Sequence, residues 1–350
     1  VNKINLDNKI KEVEALIAEE KELNYTVDSV TALKTYLTQA KKILKESNKQ
    51  TEIDNAVTEL DKKVTELVKI SALKDAIAAA DALKADEYTQ ESWEAFQATL
   101  TTIKAVATKS NATQVEVDQA KVDLETAQKA LVKVTKVATE SELKAAVANV
   151  EVKNILLTAD ITLTDQLVIN RELVLRGTDE TANKVITGKV AGKAAVLIQE
   201  NGNKAKLKDL TIVGPNTTAG EWDVGEYAIQ VYKAKEVVLE NVTVKNTNAG
   251  ILVNSATVTV NNIVTEGNEF GGIEVSKGEG VDTNPKLTIQ GKSNHGDAEG
   301  KPAIWLDGTK LNDNWVLGEP ADNLGQYNQT IPKDESGKEK DQLWFMFKQQ

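Results

Sequence analysis

The sequence predicts a multidomain chain: two all-α three-helix bundle repeats, then a right-handed parallel β-helix, an all-β solenoid. Three observations carry this reading. Tyr25-Thr26 recurs as Tyr88-Thr89 with matching apolar positions behind it, so a unit of 63 residues repeats. Helical spacing then stops near Thr135, where Val, Thr, Asn and Gly become frequent. Beyond it Ile229, Ile251 and Ile273 stand 22 residues apart in AIQVY, GILVN and GIEVS, and Ile304 in AIWLD follows after an insertion.

In the first repeat Tyr25, Val30, Leu33, Leu37 and Asn48 answer Tyr88, Trp93, Phe96, Leu100 and Asn111 of the second. After a one-residue insertion Asp54, Ala56, Leu60 and Leu67 answer Asp118, Ala120, Leu124 and Leu131. Leu33, Leu37, Ala40 and Leu44 fall on one helical face, as do Ile53, Val57, Leu60, Val64 and Leu67. Thr113 with Glu116 forms a capping box, whereas Thr89 with Ser92 is a weaker start. Trp93 sits at an apolar helical position and is expected in the core rather than as a sugar platform. The domains are expected at residues 1–70, 71–136 and 137–350.

The pattern YTxxSWxxFxxxL…ATQxEVDxAxxxLxxAxxxL over Tyr88–Leu131 resembles the FIVAR repeat of bacterial cell-wall and secreted carbohydrate-active proteins. The first repeat departs from it, with Val30 in place of the tryptophan and no Ala-Thr before Gln50. The resemblance implies an extracellular spacer or binding role and no chemistry.

Thr139 and Glu142 form a second capping box ahead of Leu143, Ala146 and Val147, a helix suited to capping the open end of a strand stack. Short strands follow in NILLTADITLT and QLVINRELVLRG. A second column runs through LKDLTI, LENVTV and VNNIVT and aligns Asp209, Asn241 and Asn262, read as a hydrogen-bonded turn ladder. The apolar run Leu343, Trp344, Phe345, Met346 and Phe347 is expected to cap the far end. This half, beginning at Glu142 and TADITLTDQLVINRELVLRG, resembles the pectate-lyase-like β-helix superfamily, in particular the adhesive domains of Gram-positive surface proteins. The resemblance implies the fold and a secreted or cell-wall-associated setting.

Alternation along the strands puts Ile229 and Val231 inside and three columns outside. The first is Ala195, Ala228, Gly250, Gly272 and Ala303, expected as a shallow floor. The second is Leu197, Gln230, Leu252, Glu274 and Trp305, and the third is Gln199, Tyr232, Asn254, Ser276 and Asp307. Loops 214–226, with Trp222, Asp223 and Glu226, and 293–301, with His295, Asp297 and Glu299, are expected to lead onto this face. The ligand-binding candidates are therefore Trp222, Asp223, Gln230, Tyr232, Asn254, Glu274, Trp305 and Asp307, with Trp305 able to stack a sugar. Glu274 and Asp307, roughly 8 Å apart on adjacent coils, would suit an inverting carboxylate pair. They are the catalytic candidates of a second reading, a glycoside hydrolase or polysaccharide lyase; an S-layer or cell-wall structural protein is a third.

Net charge of −11 opposes nucleic acid as a partner, and no apolar run of about 18 residues spans a membrane. Cysteine is absent and Arg171 and Arg176 are the sole arginines, both in the first coil, away from the carboxylates where a pectate-lyase base is needed. His295 alone makes no metal site, and no cofactor is expected. Residues 278–284, GEGVDTN, echo a Ca²⁺ loop only in Glu279, Asp282 and glycine, and read as a turn. The chain opens at Val1 rather than Met, as expected of a processed or trimmed sequence. The first reading is a cell-surface adhesin or scaffold whose β-helix meets polysaccharide, on the cell wall or a host.

Overall fold

The computed structural model describes residues 1–177, 183–216, 226–307 and 314–348. They fall into two compact units, Val1–Lys133 and Val134–Gln350. The first holds helices α1 (Ile4–Leu16), α2 (Val27–Glu46), α3 (Gln50–Thr65), α4 (Ser71–Asp81), α5 (Gln90–Thr108) and α6 (Gln114–Lys129). Each set of three encloses its own core. Leu6, Ile10, Val13, Leu33, Leu37, Ile53 and Leu60 fill the first, and Leu73, Phe96, Leu100, Ile103, Val117 and Leu124 the second. Trp93 is half-buried against Phe96 at 5.4 Å and stacks on Tyr88 at 5.9 Å, a packing role. Thr113 and Glu116 complete a full capping box at α6, while Thr89 accepts from the Ser92 amide with no reciprocal acid, so the two starts differ as their sequences do.

A shared device closes each bundle. Gln50 at the start of α3 accepts from the Asn2 amide at 2.8 Å and donates to its carbonyl at 3.2 Å. Gln114 at the start of α6 treats Lys69 the same way, at 2.9 and 3.4 Å. Across the junction the Asp28 amide donates to the Ser110 carbonyl at 3.0 Å.

The second unit is a parallel β-helix behind helix α7 (Glu140–Ala148), whose capping box is again Thr139 and Glu142. Strand Thr135–Val137 pairs with Asn154–Leu157 and so belongs to the solenoid. Two sheets of twelve and eight strands wrap one core running from Val137 to Phe345. Ile229, Ile251, Ile273 and Ile304 lie in register on successive coils, each fully buried. Every such aliphatic side chain contributes about 1.5–3 kcal/mol by leaving water.

The twelve-stranded sheet bends where Asp209, Asn241 and Asn262 take φ of 54°, 52° and 55°. Asn and Asp tolerate this left-handed conformation, and Gly291 takes the next step at 64°. Asn241 donates to Asp209 at 2.8 Å and Asn262 to Asn241 at 3.0 Å, the ladder the sequence predicts. Arg171 donates to the carbonyls of Ala146 and Val147 at 2.9 and 2.7 Å, closing the end of α7. At the far end Gln342–Phe347 pairs antiparallel with Ile304–Asp307, so the apolar tail does end the parallel stack.

Candidate functional site

The eight-stranded sheet carries the expected columns, and two of the three face outward. Leu197, Gln230, Leu252, Glu274, Trp305 and Trp344 align on successive strands, as do Tyr232, Asn254, Ser276, Asp307 and Gln342. The column of small residues does not. Ala195, Ala228 and Ala303 belong to the interior core, and a Cβ on Gly250 would lie 2.9 Å from inward-facing Val244. Strict alternation fails at this corner of the coil. Tyr227 and Ala249 turn outward there to pack with Leu252 and Trp305, and their small neighbours turn in. The shallow floor is therefore absent.

Trp305 is a second correction. It is 7% exposed, packed with Tyr227, Leu252, Phe270 and Trp344, so its ring offers no open stacking face. Its indole lies against Gly271, where φ is 131° and a Cβ would come within 2.9 Å of the ring. His295 is a third: it lies in strand Asn294–Gly296 of the twelve-stranded sheet and is buried rather than borne on a surface loop. Glu226 is wholly buried, accepting from the Gly192 amide at 3.1 Å and Asn248 at 2.9 Å. Trp222 and Asp223 lie outside the described residues.

Gln230 is half-buried, and Tyr232, also half-buried, has the Lys233 ammonium 5.0 Å from its ring centre. Asn254 is half-buried at the next step of that column. Glu274 accepts from the Tyr227 hydroxyl at 2.7 Å. Burial holds the Glu274 carboxyl above its ordinary range, and the nearby Asp307 charge adds to this, while hydrogen bonds from Tyr227 and Ser276 oppose it. Burial likewise pushes the Tyr227 phenol up. Asp307 accepts from Gln342 at 2.9 Å, and Gln342 in turn accepts from the Trp344 indole at 3.0 Å.

Sequence reasoning missed Tyr227 and Gln342. Period-two alternation from Ile229 places Tyr227 inside, and Gln342 reaches the face through antiparallel pairing that no repeat announces. Chemically, the site offers a carboxyl inclined to keep its proton beside a second carboxylate, on an apolar aromatic base. Among the described residues no group of three His, Cys, Asp or Glu side chains gathers to hold a metal ion, and no helix is long and apolar enough to cross a membrane.

The fold is a parallel-strand solenoid that follows two helical repeats in the chain. Residues 2–68 and 69–132 each match the FIVAR domain, and residues 134–272 match the family described as "Putative pectate lyase-like adhesive domain". The chain carries two FIVAR domains followed by a pectate lyase-like adhesive domain, domains typical of surface proteins. No curated protein matches it. Among solved structures, an alginate lyase from Paenibacillus sp. str. FPU-7 is 14% identical with a TM-score of 0.41, over 53% of this chain. The match covers 64% of that enzyme, under two thirds of its length. A pectin methylesterase in complex with hexasaccharide VII is 12% identical with a TM-score of 0.28, over 61% of this chain and 86% of that one.

Proposed function

We propose that this protein is a cell-surface adhesin of a Gram-positive bacterium whose eight-stranded sheet contacts a glycan or cell-wall polymer, with the FIVAR domains as spacer. The observation that carries the reading is the in-register column Tyr232, Asn254, Ser276, Asp307 and Gln342. Hydroxyl, amide and carboxylate groups recur there at the strand spacing of about 4.8 Å, which suits a polymer that presents hydroxyls repeatedly. Gln230 and Glu274 flank that column, and Trp222 and Asp223 extend the proposed binding set.

A second reading rests on the raised Glu274 carboxyl beside Asp307. In a glycoside hydrolase Glu274 would protonate the leaving oxygen and Asp307 would activate water. One screen of neutral and anionic polysaccharides separates the two. For the adhesin, retention on immobilised polymer persists in Glu274→Gln and falls at least tenfold when Tyr232→Ala and Asn254→Ala are combined. Release of reducing or unsaturated ends that disappears in Glu274→Gln and in Asp307→Asn establishes the enzyme instead. Neither binding nor turnover on any polymer sinks both.

A further inference from the structure

One interior column of the solenoid changes character at its end. Ile161, Ile186, Ile212 and Val244 stack in register, and the next two places hold Thr265 and then His295. An aliphatic residue would fill the last place without cost, whereas a ring nitrogen there must find a partner. His295 is 8% exposed and finds two. Nδ1 lies 2.7 Å from the Thr265 hydroxyl and Nε2 lies 3.0 Å from the Tyr327 hydroxyl.

The direction of the chain follows from counting hydrogens. Thr265 gives its single hydroxyl hydrogen to Asp297, which also accepts from Asn268 at 2.7 Å. The Thr265 oxygen therefore accepts from Nδ1–H, and Nε2 is left to accept from Tyr327. Tyr327 and Phe347 also meet the imidazole edge-on, at 5.6 and 5.1 Å between ring centres. Both belong to the terminal antiparallel pair Tyr327–Thr330 and Gln342–Phe347, so the contact joins that pair to the last coil.

We infer that His295 is an acid-sensitive latch: protonation of its ring releases the terminal antiparallel pair and bares the edge of strand Ile304–Asp307. A proton on Nε2 ends the bond that nitrogen accepts from the Tyr327 hydroxyl, which must turn to accept instead, and leaves a cation in a pocket that burial keeps from water. Among the described residues no carboxylate is hydrogen-bonded to the ring. Asp297 is reached only through Thr265, Glu266 on the neighbouring strand is exposed, and Lys348 turns away to donate to the Gly325 carbonyl at 2.8 Å.

Burial lowers the ring's pKa to about 3, whereas the released ring titrates near its ordinary 6.5. The latch is therefore at full strength above pH 6.5 and weakens as pH falls toward 3. Burial holds the Asp297 carboxyl up, which favours the closed form in acid and makes the range above pH 5 the cleaner one to test. Between pH 7 and pH 5 the opening constant of the pair should rise about 25-fold.

Amide exchange reads this directly. The Ala303 amide donates to Phe345 across the pairing in question, and the Ile251 amide donates to Gly272 inside the stack. After correction for the intrinsic exchange rate, Ala303 should show the rise, Ile251 should not, and His295→Gln should abolish it. Equal change at both amides, or none at Ala303, overturns the latch. His295 is the sole histidine of the chain, so its ring resonances give a second readout if the variant does not fold. A ring that titrates near 6.5 in the folded protein overturns the proposal, and one still neutral at pH 5 supports it.

Discussion

The two units hold themselves together in different ways. In the helical unit each bundle closes on residues of its own repeat, and the two cores are separate clusters. In the solenoid a single cluster runs the whole length, because no coil can cover its own edges and each must be covered by the next. A defect in a bundle should therefore stay within it, while a defect in one coil should spread along the stack. Surface charge does little to blur this contrast. The bundle ion pairs, such as Lys9 with Asp61 at 2.8 Å and Lys104 with Asp81 at 2.6 Å, each have at least one exposed partner and contribute under about 1 kcal/mol each.

The largest break in this contrast should come from the middle of the isoleucine column. Ile251 is fully buried, and Ile251→Ala removes its contacts with Ile229 below and Ile273 above. A loss of about 2–5 kcal/mol is expected. In calorimetry the transition of the solenoid should move down while that of the helical unit stays in place. A shift of both transitions would mean that the units do not melt independently.

How far the sequence disclosed this follows from where each signal lives. The helical unit is written in contacts three and four residues apart, so Leu33, Leu37 and the capping box at Thr113 are legible without tertiary knowledge. The isoleucine column is legible because a constant coil length turns a three-dimensional stack into a period. The corner near Tyr227 is not, since alternation reports which face a residue takes only while the strand stays straight. That one break exchanged Tyr227 for Ala228 and turned a predicted open floor into interior. Trp305 and His295 failed for a related reason. Aromatic and polar residues both occur on surfaces and inside, and only the packing of Gly271 and Tyr327 against them decides which.

A smaller effect should come from the turn ladder, and it tests whether the stack is held by backbone conformation as well as by its core. Asn241 combines a φ of 52° with a hydrogen bond given to Asp209 and one accepted from Asn262. Asn241→Ala should cost about 1–2 kcal/mol from the left-handed conformation, with the lost ladder bonds adding to it. Asn241→Gly keeps the conformation and loses only the bonds. Chemical denaturation of both variants separates the contributions. Equal losses in the two would assign the whole effect to hydrogen bonding.

The smallest effect should lie in the helical unit, where the same logic predicts containment. Thr113 accepts from the Glu116 amide at 3.2 Å, and the Glu116 carboxylate accepts from the Thr113 amide at 2.7 Å. Thr113→Ala removes the first bond and should cost about 1 kcal/mol. Lys109 and the Thr113 amide hold the Glu116 carboxyl down at about 2, so its part of the cap is complete above the ordinary 4.5 and fades as pH falls toward 2. The first bundle has no such box, because Lys49 stands where Thr113 stands in the second. Only the second bundle should therefore lose stability in Thr113→Ala, and amide exchange in α6 should rise while that in α3 does not. An equal rise in α3 would show that the Asp28 to Ser110 contact couples the bundles, and the contrast between self-contained repeats and a shared core would then be one of degree.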